Sequence, residues 1–241
     1  MDGGSLRKGM ARLRSTPFHP QWFVAKGKDR RLRHIGRLHG NILDIGCTDK
    51  VLARHLPEGC RYLGLDYYAT VQSFYSTRPD VYGDACRLPL AGASMDGVLI
   101  FEVLEHVPDP EAALAEVSRV LKPEGVLLLS VPFIYPVHNA PFDFHRFTRH
   151  ALERSLRRHG FEVESIEARL LSIEVAGLMT SLALGDAARR IGTSYRWAFP
   201  VLILIGVGVL LVNVTAWILS RLLPGSDFMP EGYDVVAVRR A

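Results

Sequence analysis

Apolar residues in this chain fall into short unbroken runs separated by amphipathic stripes. Residues 41–46 (NILDIG) and 61–66 (RYLGLD) are apolar runs, one ending in a glycine turn and the other in an acid, and both predict buried parallel strands. Residues 96–101 (DGVLIF) and 125–131 (GVLLLSV) repeat the form. Between them, residues 111–121 place Ala113, Leu114, Val117 and Leu121 on one helical face, with Pro108 and Pro110 before it and Pro123 and Gly125 after it. A second helix is predicted over 148–159, a strand over 161–167 and a last alternating strand over 232–239. Strands alternating with helices imply a parallel sheet covered on both faces.

One stretch breaks this pattern. From Trp197 to Ser220, 24 residues pass without a charge between Arg196 and Arg221, which is long enough to cross a bilayer. Upstream, 175–185 is charge-free for 11 residues, a length suited to burial or to an interface. Because a final strand follows, a single crossing would leave that strand on the far side of the membrane. The expectation is a helical hairpin that enters one leaflet and returns, or helices folded against the globular domain or a partner subunit in an oligomer.

Composition adds little to the class. The 241 residues carry 29 Lys and Arg against 25 Asp and Glu, a net charge of +4, and 48% hydrophobic residues exclude disorder throughout. Cys47, Cys60 and Cys86 lack the spacing of a disulfide framework or a zinc knuckle, so a cytoplasmic chain without a metal is expected. Charge is uneven, however: ten of the basic residues (Arg7, Lys8, Arg12, Arg14, Lys26, Lys28, Arg30, Arg31, Arg33, Arg37) precede Gly40, against Asp2 and Asp29. No apolar stretch of a secretory signal follows them. This arm, 1–39, reads as a solvated lead-in or as an attraction to anionic lipid or nucleic acid, with Phe18, Trp22 and Phe23 available to pack.

Chemistry is expected beyond the carboxyl ends of the strands. Gly46 permits a tight turn after the first strand, and Asp66, 22 residues after Asp44, can accept hydrogen bonds from ribose hydroxyls. A GxGxxG loop is absent, since Thr48 and Val51 stand where glycines would be needed, and a dinucleotide is disfavoured.

The ordered set ILDIGC (42–47), YLGLD (62–66), GDACRLP (83–89), MDGV (95–98), VLEHVPDP (103–110) and VLKPEGV (120–126) resembles the class I S-adenosylmethionine-dependent methyltransferases. Residues 131–148 further resemble a subgroup found among bacterial cell-envelope and polysaccharide genes. The resemblance implies a Rossmann-like α/β sheet, mostly parallel with an antiparallel last strand. It also implies that 40–169 form the core, that 170–226 are a hydrophobic insertion and that 227–241 complete the sheet. S-adenosylmethionine is the implied cofactor. Asp44, Gly46 and Cys47 would line its methionine end, Asp66 and Tyr67 its ribose, Asp84 and Ala85 its adenine, and Glu102 the crevice wall. Thr48 departs from the family's glycine.

Candidate acid/base or acceptor-side residues are His106, His138, Asp143 and Arg146, with His145 beside them, each of which can equally serve a network that only orders its loop. His150 and His159 fall on or next to a surface helix. The expected acceptor is a small molecule, a lipid-linked precursor or an envelope glycan at the cytoplasmic side of a membrane. A quinone-type lipid methyltransferase and a non-catalytic scaffold are the alternatives. Nucleic acid is disfavoured, because no Asn/Asp-Pro-Pro-Tyr-like base-flipping motif is present.

Overall fold

The computed structural model describes residues 13–27, 30, 32–74, 78–194 and 199–240. Arg7, Lys8, Arg12, Lys28, Arg31, Arg196 and Trp197, invoked above for charge and for the apolar segment, lie outside the described residues. In chain order the elements are α1 (Trp22–Gly27), β1 (Asn41–Ile45), β2 (Arg61–Asp66), α2 (Tyr68–Phe74), β3 (Val81–Tyr82), β4 (Met95–Phe101), α3 (Pro110–Val120), β5 (Leu121–Pro132), α4 (Arg149–Arg158), β6 (Phe161–Arg169), α5 (Ser172–Ser194), α6 (Phe199–Leu222) and β7 (Gly232–Arg239).

The strands form one sheet in the order β3-β2-β1-β4-β5-β7-β6. β1 pairs in parallel with β2 and β4, β2 with β3, and β4 with β5, whereas β7 runs antiparallel to β5 from Val126↔Val238 to Pro132↔Gly232. This is the mostly parallel α/β sheet with an antiparallel last strand that the sequence predicts. Side chains alternate between two cores, as the pleat requires. Leu43, Ile45, Val98, Ile100, Leu127, Leu129, Val235 and Ala237 meet α3 and α4, while Ile42, Leu99, Val126, Leu128 and Val236 meet Ile35 and Leu38 on the other face. Both faces are dry, which is why the central strands are continuous apolar runs.

Two local signals fix the covering helices. At α3 the Asp109 carboxylate accepts from the Ala112 N–H at 3.0 Å, and Pro110 occupies the first turn, where its missing N–H has no cost. At α4 the Thr148 hydroxyl accepts from the Ala151 N–H at 3.2 Å.

The chain divides into two compact units, one holding 30–133, 137–167 and 232–240, and the other holding the described residues up to 27, 134–136 and 168–231. The second unit is built on α5 and α6, which run antiparallel: Gly177 faces Ala216, and the Ser181 hydroxyl donates to Asn213 Oδ1 at 2.8 Å. A Cβ on Gly177 would stand 2.5 Å from that of Ala216, so only glycine allows the helices this close. α5 runs well past the apolar stretch 175–185, because Asp186 pairs with Arg189 and Arg190 at 2.8 and 2.7 Å on one exposed face.

Asn213 is fully buried and donates to the carbonyls of Pro17 and His19 at 2.8 and 3.1 Å. Replacing it removes the donor to the Pro17 carbonyl and leaves the buried Ser181 hydroxyl without its acceptor, while the His19 carbonyl keeps the Trp22 N–H. Asn213→Ala should therefore cost about 1–3 kcal/mol of stability, read as a fall in denaturation midpoint while cofactor affinity is unchanged.

Candidate active site

The turn after β1 is built around Gly46. Its φ is +74°, and a Cβ there would stand 2.2 Å from Val103 Cγ2, so angle and space both require glycine. The N–H groups of Gly46 and Cys47 donate to the Leu65 carbonyl at 2.8 and 3.2 Å, fastening the turn to β2. Asp66 at the end of β2 then gathers the loop: Oδ2 accepts from the Thr48 N–H at 3.1 Å, and Oδ1 from the Tyr67 N–H at 2.8 Å and the Thr70 hydroxyl at 3.3 Å. A carboxylate has about four lone-pair sites, so Asp66 keeps accepting capacity beyond these three donors. Thr48 has φ +42°, a left-handed conformation that strains a β-branched residue by about 1–3 kcal/mol.

Asp44 is buried, and Tyr62 Oη donates to its Oδ2 at 2.6 Å. Burial, opposed by that hydrogen bond and helped by the Asp66 charge, pushes the Asp44 carboxyl up to about 7. Burial, with Asp44 and Asp66 adding to it, pushes the Cys47 thiol up to about 12, so Cys47 is a packing residue and not a thiolate nucleophile at neutral pH. The third motif folds beside them: the Gly83 N–H donates to the Asp66 carbonyl at 3.1 Å, and the Cys86 N–H to Asp84 Oδ1 at 2.8 Å. Asp84 is exposed and Ala85 half-buried. Arg119 holds the following segment through the Leu88 and Leu90 carbonyls at 3.0 and 2.8 Å.

A second cluster forms beyond β4 and β5. Glu102 leaves β4 with φ +57° and its Oε1 accepts from the Ser130 hydroxyl at 2.9 Å. Three residues on, Glu105 is 0% exposed, and neither of its carboxylate oxygens has a hydrogen-bond partner. Burial first, then the Glu102 charge, pushes its carboxyl above the usual range, against the pull of His138 and His106. The Glu105 carbonyl accepts from the N–H groups of Phe144 and His145 at 2.9 and 3.2 Å, tying the loop after β5 to the end of β4.

That loop brings the other candidates to Glu105. His106 Nε2 and His138 Nε2 lie 3.6 and 3.8 Å from Glu105 Oε1, with the two rings edge to face at 4.8 Å. Arg146 donates to both oxygens of Asp143 at 2.6 and 2.7 Å, and the His138 N–H donates to Oδ2 at 2.9 Å. The Arg146 guanidinium holds the Asp143 carboxyl down to about 2. A carboxylate held that low is a poor base at neutral pH, so Asp143 and Arg146 orient the loop. His145 points elsewhere, its Nε2 3.3 Å from the Pro108 carbonyl; His150 is exposed, and His159 pairs with Glu111 at 3.0 Å. Sequence reasoning passed over Glu105; its signal was a second carboxylate after Glu102, directly before His106.

A family model described as a methyltransferase domain matches residues 43–129. An uncharacterised methyltransferase of Mycolicibacterium paratuberculosis is 30% identical over 177 residues, covering 66% of this chain and 68% of the relative. The chain belongs to the class I S-adenosylmethionine-dependent methyltransferases. A protein of Mycolicibacterium smegmatis named as a probable S-adenosylmethionine-dependent methyltransferase is 36% identical over 148 residues, 56% of each chain. The chain thus spans about half the length of that and the next curated relatives it matches. Among solved structures, an S-adenosylmethionine-dependent methyltransferase of Archaeoglobus fulgidus shares the fold with a TM-score of 0.54 at 20% identity, covering 90% of this chain and 93% of that one.

S-adenosylmethionine is the cofactor of this methyltransferase family, and the first cluster suits it. Asp44 is a desolvated carboxylate, so a cationic ligand group would lower its pKa. Cofactor binding should accordingly release protons below pH 7, with affinity rising as pH increases towards 7. Calorimetry in buffers of different ionisation enthalpy reads that release, and Asp44→Asn should abolish it. Thr48→Gly should relieve the left-handed strain and raise stability by about 1 kcal/mol after the added chain entropy of glycine is subtracted, measured by denaturant titration.

Proposed function

We propose that this chain transfers the methyl group of S-adenosylmethionine to a hydroxyl of a lipid-linked or envelope-glycan precursor at the cytoplasmic face of a membrane. The membrane part is carried by α6. Its 24 residues have no charge before Arg221, and only Val209, Asn213 and Ala216 are buried. Phe199, Ile203, Leu204, Leu211 and Leu222 are exposed. Water contact with so much apolar surface costs about 25 cal/mol per Å², and lipid removes that cost. At one end of the helix, Trp217 lies under Arg221 at 4.4 Å and Lys26 at 5.5 Å, the aromatic and basic pairing that suits a headgroup layer. The antiparallel return of α5 and α6, followed by β7 in the sheet, favours a hairpin entering and leaving on one side.

In this reading Asp44, Gly46 and Cys47 hold the methionine end of the cofactor, Asp66 and Tyr67 the ribose, Asp84 and Ala85 the adenine, with Glu102 as the wall. The bound cofactor supplies a methyl group already activated by its sulfonium, so the chain's task is to orient the acceptor and exclude water. A hydroxyl must also lose its proton. His106 and His138 stand on the acceptor side, and Asp143, clamped by Arg146, keeps His138 in place.

Membranes carrying the protein should retain it through a high-salt wash and release it only to detergent. Attachment by basic residues alone would be reversed by salt. Incubation with methyl-labelled cofactor and a lipid extract should place the label in the lipid-linked fraction by mass spectrometry; label only in water-soluble products would overturn the acceptor assignment.

A further inference from the structure

Two imidazoles face the Glu105 carboxylate. His106 Nδ1 is 2.6 Å from the Phe142 carbonyl. A carbonyl only accepts, so that nitrogen carries the proton and Nε2 presents its lone pair. His138 Nδ1 is 3.3 Å from Asp143 Oδ2, a carboxylate already fixed by Arg146, so Asp143 orients the ring. Both Nε2 atoms are turned towards Glu105, whose carboxylate is completely buried and has no hydrogen-bond partner. Protonating the imidazoles does not resolve this arrangement, because 3.6 and 3.8 Å are too long for N–H···O bonds. Three possible ligand atoms therefore converge at a buried carboxylate flanked by two half-buried imidazoles.

We propose that Glu105, His106 and His138 bind one divalent transition-metal ion of the zinc or manganese type. One ligand atom from each of the three residues can be chosen so that all lie within 4.8 Å of one another. An ion with bonds of about 2.0–2.2 Å fits between partners separated by 3.6 and 3.8 Å at open tetrahedral angles. The surroundings are those of a built site. Metal-binding histidines characteristically donate their other N–H to a carbonyl or carboxylate; here Phe142 serves His106 and Asp143 serves His138. Two imidazoles and one carboxylate suit zinc, manganese or cobalt, and disfavour magnesium and calcium, which prefer all-oxygen shells. Three protein ligands leave positions open. If the methyl-transfer reading holds, on which this last step rests, those positions take an oxygen of a hydroxyl-bearing acceptor.

The test uses the detergent-solubilised full chain, stripped with chelator and titrated with Co²⁺, Zn²⁺ and Mg²⁺. One equivalent of Co²⁺ should bind with the visible absorption of a low-coordinate nitrogen and oxygen site, and Zn²⁺ should displace it where equal Mg²⁺ does not. Glu105→Gln and His138→Ala should each lose at least tenfold in Co²⁺ affinity. Asp143→Asn should lose about 10–100-fold through misorientation of His138, while His159→Ala should bind as the parent does. Cofactor affinity measured in parallel reports whether each variant is folded, and His106→Asn serves in place of any that is not. Absence of bound Co²⁺ in a chain that binds cofactor, or binding indifferent to Glu105→Gln and His138→Ala, would overturn the metal site and leave methyl transfer standing. Metal binding by a chain with no methyl-transfer activity would do the reverse.

Discussion

The antiparallel ladder between β5 and β7 governs how the rest of the chain can be arranged. It runs from Val126↔Val238 to Pro132↔Gly232 and places β7 between β5 and β6. Val235, Val236, Ala237 and Val238 are all buried there, so leaving β7 unpaired would expose apolar side chains and strand backbone polar groups together. The chain that departs after β6 must consequently come back. Pairing of α5 with α6 is the local answer to that demand.

Electrostatics follow from where the parallel strands end. Asp44, Asp66 and Glu105 are all buried at or just past the carboxyl ends of β1, β2 and β4. Each meets the cost of burial differently. Asp66 is stabilised by the backbone N–H groups of Thr48 and Tyr67, Asp44 by one phenol and partial neutralisation, and Glu105 by no hydrogen bond to its side chain. This gradient sorts them by role: the best-satisfied carboxylate shapes the loop, and the least satisfied one has the most to gain from a cation.

Much of this was legible in the residue pattern, for physical reasons that can be named. The strands β1, β2, β4 and β5 announced themselves because burial on both faces demands uninterrupted apolar runs, and α3 because Pro108 and Pro110 mark its start. β3 was invisible, since two residues carry no period. α5 was only half legible: Asp186, Arg189 and Arg190 ended the apolar stretch but continue the helix by pairing along its surface. Cys47 and Asp66 occupy the expected loop, yet their hydrogen-bonding and ionisation depend on β2 lying alongside. Glu105 was missed because its burial comes from a loop some 35 residues further on, and no local window contains that information.

Asn213 sets a timetable as well as a contact. Its amide closes on the Pro17 carbonyl across 196 residues, a separation that spans most of the sequence. A ribosome adding about 5–20 residues per second delivers the second partner some 10–40 seconds after the first. Pro17 and its neighbours thus leave the exit tunnel long before the helix that will close on the Pro17 carbonyl exists. Water or a chaperone must serve them meanwhile, and the unit can complete itself only near the end of translation.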